Sequence, residues 1–188
     1  KHIRILGSQL VLRGSVMLNI VRTSLGGTGQ MIIATTSWIF LLRILASIGS
    51  EAVAGATIGI RIMMFTLMPA WGMSNAAATL VGQNLGAQQP ERATAAVWRI
   101  GWYNMVFTLS VSVLFFFFHD RIVAIFSDDA RVIAIGGEWL RILSYSYFVY
   151  GWWLVSVQAY NGAGDTMTPT WINLVFFWII QIPLSWLL

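Results

Sequence analysis

The chain has 188 residues, 57% of them from the AVILMFWYC set and only 10% charged, with 11 Lys and Arg against 7 Asp and Glu and no Cys. A water-soluble domain is typically about 25% charged, so this composition excludes a solvated globular domain, a disordered chain and a coiled coil. The net charge of +4 comes from scattered cations without a basic cluster, which argues against a nucleic-acid partner, and the lack of Cys excludes disulfides, Cys-ligated metals and thiol catalysis.

What remains is an all-α membrane protein, a polytopic bundle of transmembrane helices. Residues 1–22 come first. On a helical wheel Lys1, Arg4, Ser8, Ser15, Asn19 and Arg22 fall within about 60° of one another, and Leu, Val and Ile fill most of the rest. This predicts an amphipathic connector helix along the membrane interface. Gly26-Gly27-Thr28-Gly29 should loosen the chain where it enters the first span.

A helix that crosses hydrocarbon needs about 20 apolar residues. Uncharged runs of that order recur five times, at Thr23–Leu42, Ile62–Pro90, Ile100–Phe118, Ile142–Gly164 and Thr166–Leu188. They predict a transmembrane bundle over 23–188, with spans near 24–48, 53–85, 94–118, 132–160 and 168–188. The runs are far too long for barrel strands. Pro69 should kink the second span, because it removes a backbone bond. Lys1, Arg4, Arg13, Arg22, Arg92 and Arg99 fall on one side of the membrane and only Arg121 and Arg131 on the other. The positive-inside rule therefore puts the N-terminal segment and the 86–92 loop in the cytoplasm. The last span runs to Leu188 without a polar flank and the start reads Lys1-His2-Ile3-Arg4, so the chain is expected to be part of a longer membrane protein.

Two loops carry pattern. In the first, VGQNLGAQQPERA from Val81, Gly82 and Gln83 lead to Gly86, the expected left-handed helix stop, and Pro90 opens the next helix with Glu91 at its positive end. In the second, NGAGDTMTPT from Asn161, Gly162 and Gly164 stop a helix, Asp165 or Thr166 caps the next, and Pro169 fits its first turn.

Two helix faces carry polarity inside apolar spans. Arg61, Met64, Met68, Gly72, Asn75, Thr79 and Gln83 recur at steps of three and four on the second span, and Ser144, Tyr147, Tyr150, Leu154, Gln158 and Asn161 on the fourth. Thr35, Thr36 and Ser37 add polarity to the first. Intramembrane charge usually faces protein or water, Met surfaces adapt to varied apolar ligands and Tyr rings offer cation–π surface. Arg61, Met64, Met68, Asn75, Thr36, Tyr147, Tyr150 and Gln158 are the candidate substrate path. The bland alternative is helix–helix packing, which uses the same small and amide residues. Arg61 is expected to face the interior of the helix bundle, with partners on the first or fourth span. His2 and His119 are isolated and make poor metal ligands. No acid–base or nucleophile–His cluster sits inside the spans, so neither catalysis nor a metal is expected.

Taken as a pair, the two loops resemble the multidrug and toxic compound extrusion (MATE) family of secondary transporters. The segment from Pro69 through Ala93 and NGAGDTMTPT, followed by Asn173 and Gln181-Ile182-Pro183-Leu184, agree with that family in order and spacing. The resemblance implies twelve helices in two six-helix lobes around a central cavity, of which this chain matches helices seven to eleven of the second lobe, with residues 1–22 as the inter-lobe connector. It implies cation-driven export by alternating access, with cationic or amphipathic drugs or metabolites as substrates. The implied partners are the lipid bilayer and the N-terminal lobe of the same protein, and the implied location is a bacterial inner membrane. Some members carry coupling carboxylates in helices seven and ten. The matching stretches here, Thr35-Thr36-Ser37 and Tyr147–Gly151, hold no acid. The H+ or Na+ site is then expected in the first lobe, and no cofactor is expected. A related lipid or polysaccharide-precursor flippase is the alternative, kept open by Arg43 and Arg61.

Overall fold

The computed structural model describes residues 13–47 and 49–187. Five helices follow one another: α1 Gly14–Ala46, α2 Ser50–Gly86, α3 Pro90–Ala124, α4 Ala130–Gly162 and α5 Met167–Leu187. By length and composition, α1, α2, α3 and α5 are apolar enough to cross a membrane. α4 is as long, at 33 residues, but its Tyr and Trp side chains dilute its apolarity. All five predicted spans are helices. The main difference lies at the start. α1 begins ten residues before the predicted 24, and it runs unbroken through Gly26-Gly27-Thr28-Gly29. The second half of the amphipathic segment, with Ser15, Asn19 and Arg22, is therefore the first part of α1, while Lys1, Arg4 and Ser8 lie outside the described residues.

α2, α3 and α4 form the packed core, with Ala70, Ala77, Phe115, Val123, Leu140 and Tyr147 buried where they meet. Polar groups inside it bond across helices, as an apolar solvent requires. Asn104, fully buried on α3, donates through Nδ2 to the carbonyls of Ala70 (3.1 Å) and Gly151 (3.0 Å). Thr108 donates to the Phe148 carbonyl at 3.0 Å, and Ser112 to that of Ser144. Gly151 lets α3 and α4 come this close: a Cβ there would stand 2.6 Å from Thr108 Oγ1 and 2.8 Å from the Asn104 carbonyl oxygen.

α1 and α5 form a second, smaller layer. Thr166 donates to the Thr23 carbonyl (3.2 Å), Thr170 to that of Gly26 (3.0 Å), and Trp178 Nε1 to that of Ile33 (3.2 Å). α5 changes pitch midway, with Leu174–Gln181 in a π-helix. Pro183 has no N–H to offer the carbonyl of Ile179 four residues earlier, which favours such a shift.

The turns obey local chemistry with one correction. Gly86 is the last residue of α2 and is not left-handed. The left-handed residue is Gln88 (φ 57°), which lets Gln89 N–H return to the Asn84 carbonyl at 2.8 Å. Pro90 opens α3 as expected. Asp129 caps α4, accepting from the Arg131 and Val132 amides at 2.8 and 3.4 Å. α2 passes through Pro69 as one continuous helix, and α3 carries a break in backbone dihedrals at Phe118 (φ −124°, ψ 15°).

A cleft floored by amides

Between the two layers lies a cleft of about 550 Å³. α1 contributes Gln30, Met31 and Trp38, and α2 contributes Met63, Met64, Met68 and Trp71. α4 contributes Tyr150, Trp153, Gln158 and Asn161, and α5 contributes Asn173 and Phe177. No Asp, Glu, Lys or Arg is among its lining residues. Tyr150 and Trp153 rings sit 4.9 Å apart, and Trp153 meets Phe177 edge-on at 6.5 Å. The walls are thus aromatic rings and thioethers.

At the end nearest the α4–α5 turn, amides join three of these helices. Gln158 Nε2 donates to Asn75 Oδ1 at 2.6 Å, and Asn161 Nδ2 to Gln158 Oε1 at 3.1 Å. Gln30 Nε2 then donates to Asn161 Oδ1 at 3.1 Å and to the Thr166 carbonyl at 2.9 Å. The chain runs from α2 to α4 to α1, and ends at the residue that precedes α5. A carboxamide offers two donor hydrogens and two acceptor lone pairs, so each link retains capacity for a ligand.

The structure brings together Met64, Met68, Tyr150 and Gln158 of the candidate path, and Asn75 joins them through its bond to Gln158. The remaining three are elsewhere. Thr36 turns back to its own helix, donating to the Ile32 carbonyl at 2.6 Å, and Thr35 lines the cleft instead. Tyr147 is fully buried in the core, with its hydroxyl 2.7 Å from Thr66 Oγ1. Arg61 does not face α1 or α4: it is exposed beside a groove between α2 and α3. Gln30 and Trp153 are among the cleft residues that the helix faces did not single out, with Met31, Trp38, Met63, Trp71 and Phe177. Gln30 stands alone in an apolar run, and its partner Asn161 is 131 residues away, so nothing local marks it.

The two patterned loops meet the cleft at its floor. A Cβ on Gly82 would come within 3.2 Å of the Gly162 carbonyl oxygen, so these two residues mark the close approach of α2 and α4. Gln83 is exposed near the end of α2. Gly164 is left-handed (φ 84°). Asp165 then accepts from Thr168, at 3.0 Å from its amide and 2.5 Å from its hydroxyl, and these bonds hold its carboxyl below the usual range. Pro169 is buried in the first turn of α5.

Residues 28–187 match the MatE family model. A probable multidrug resistance protein NorM of Thermotoga maritima is 29% identical over 155 residues, covering 82% of this chain and 33% of that protein. An FAD transporter of Shewanella oneidensis is 27% identical over 145 residues, covering 77% of this chain and 32% of the other. A solved MOP superfamily transporter from Pyrococcus furiosus, described as having a binding pocket of reverse polarity, shares the fold with a TM-score of 0.81. It is 16% identical, over 89% of this chain and 37% of that one. The chain thus spans about a third of the length of these curated relatives. With a family model matched across nearly all of its five helices, the chain belongs to the MatE family of integral membrane proteins.

Proposed function

We propose that the chain is one lobe of a two-lobed secondary transporter that exports amphipathic, ring-bearing small molecules, the lobes alternating access to a central site while an inward H+ or Na+ gradient drives the cycle. In a bacterium this places the protein in the inner membrane, with the N-terminal lobe of the same polypeptide as its partner. The observation that carries this reading is the acid-free cleft of rings and thioethers over an amide floor. Such walls hold a planar ring by stacking, a delocalised cation by cation–π attraction and irregular apolar groups by thioether contact. The amides fix the polar edge of the cargo. Multidrug resistance proteins and an FAD transporter among the relatives fit a cargo of that kind. The lining holds no acid, which supports placing the H+ or Na+ site in the other lobe. A lipid or polysaccharide-precursor flippase would call for a cationic cleft, and neither Arg43 nor Arg61 lines this one.

The test is gradient-driven efflux of ethidium, a planar cation, from vesicles holding the full-length protein. Trp153→Ala and Tyr150→Ala should each lower the rate per protein about tenfold, the scale of a desolvated cation–π contact. Trp98→Ala should leave it unchanged, because Trp98 packs on Trp152 away from the cleft. Equal rates for all four proteins would overturn the assignment.

A further inference from the structure

Arg61 is left without a role by the cleft, and its surroundings give it another, beyond the transport reading. α2 and α4 run parallel, and Thr66 bonds Tyr147 across an offset of 81 residues. The same offset sets Arg61 level with Ile142, next to Arg141. Arg61 and Arg141 bound the uncharged runs Ile62–Pro90 and Ile142–Gly164, and the backbone break at Phe118 ends the uncharged run of α3. Backbone carbonyls freed by such a break are tolerated at the edge of hydrocarbon, where water and headgroups reach them. Arg61 therefore stands at the rim of the bilayer opposite the Gly86–Pro90 turn.

Beside it, α2 and α3 leave a groove of about 550 Å³, walled on the membrane side by Phe65, Val111, Leu114 and Phe115 and, past the break at Phe118, by Ile122 and Phe126. Among the described residues Arg61 makes no ion pair. Glu51 is engaged by Arg131 at 3.1 Å, Glu138 by Arg141 at 3.5 Å, and Asp120 by His119 at 2.9 Å. Asp129 caps α4, and Asp128 is exposed in the α3–α4 loop. A guanidinium is a permanent cation, weakly hydrated and shaped for bidentate phosphate contact. Set on the flank of an apolar trough that continues inward past Phe65, Leu114 and Phe115, it complements one occupant: a phosphate-bearing lipid with an acyl chain along those residues.

We infer that the α2–α3 groove is a binding site for an anionic phospholipid, with Arg61 holding the phosphate and the groove taking one acyl chain. The proposal separates into charge and trough. Phosphatidylglycerol carrying a diazirine on one acyl chain is added to the full-length protein in mixed micelles, irradiated, and the labelled peptides are mapped by mass spectrometry. Labelling by the acyl-chain diazirine should concentrate on 61–66 and 111–115. Arg61→Gln should reduce it about tenfold, the effect of one charge-assisted hydrogen-bonded contact, whereas Arg61→Lys should retain much of it. Leu114→Trp, which fills the trough and keeps the charge, should reduce it as well. The phosphatidylcholine analogue should label several-fold less, and millimolar inorganic phosphate should not compete. Equal labelling in wild type and Arg61→Gln, equal labelling by the two lipids, or displacement by inorganic phosphate would each overturn the site. If Arg61→Gln fails to fold, undiminished labelling of Leu114→Trp would overturn it alone.

Discussion

Gln158 donates its side-chain N–H to the Asn75 oxygen across 2.6 Å, and that bond joins α4 to α2 at the floor of the cleft. It is one link of four, so its energy is coupled to the bonds of Asn161 and Gln30 beyond it. A double-mutant cycle with Asn75→Ala and Gln158→Ala, read by reversible unfolding in micelles, should give a coupling of about 0.6 kcal/mol, the mean for hydrogen bonds between membrane helices, and at most about 1.7 kcal/mol. A coupling of zero would mean that the pair is independent.

Close helix approach predicts a contrast between two glycines. A Cβ at Gly151 meets Thr108 and the Asn104 carbonyl oxygen, whereas one at Gly72 meets nothing within 4 Å. Gly151→Ala must push α3 from α4 and stretch the Asn104 bonds, so it should destabilise by about 1–3 kcal/mol. Gly72→Ala should stay within about 0.5 kcal/mol of wild type. Thermal unfolding in detergent compares them, and similar midpoints would contradict this packing.

Backbone handedness predicts a gain and a loss. Gln88 holds φ 57° where glycine would carry no Cβ penalty, so Gln88→Gly should stabilise by about 1 kcal/mol. Gly164 holds φ 84°, and Gly164→Ala should cost about as much. Destabilisation by Gln88→Gly would show that its side chain matters more than its backbone.

The Asp165 carboxyl is held low by its two bonds from Thr168. A folded-state value below the unfolded one means that the carboxylate supports the start of α5 at neutral pH. That support is lost as pH falls through the folded value. In protein labelled with carboxyl-13C Asp, Asp165 should titrate below the ordinary value of about 3.9, and Thr168→Val should move it upward. An unmoved midpoint in Thr168→Val would rule out the hydroxyl as the cause.

Much of this was legible from residues alone, because its physics is local. Uncharged-run length located the five helices, though not the start of α1, and Pro90, Gly164 and Asp165 announced the turns through chemistry within three or four residues. What escaped depends on partners distant in sequence. Gly26-Gly27-Thr28-Gly29 stays helical because α5 lies against it, with Thr170 bonded to the Gly26 carbonyl. Arg61 shares a helix face with Met64 on paper, yet α3 claims one side of that face and the cleft the other. Tyr147 shares a face with Gln158, but the core closes over one and the cleft opens on the other. Gln30 had no local mark at all.

Cargo that occupies the cleft between the two layers must shield the side chains that line it. A direct measurement is protection of an introduced thiol: these 188 residues hold no Cys, and any Cys in the remainder of the full-length protein is first replaced by Ser. Val157→Cys lines the cleft, and Gln88→Cys sits on the α2–α3 turn. In the full-length protein, saturating ethidium should slow maleimide labelling of Val157→Cys severalfold and leave Gln88→Cys unaffected. Labelling of Val157→Cys at the same rate with and without ethidium, while the protein still transports it, would contradict the account.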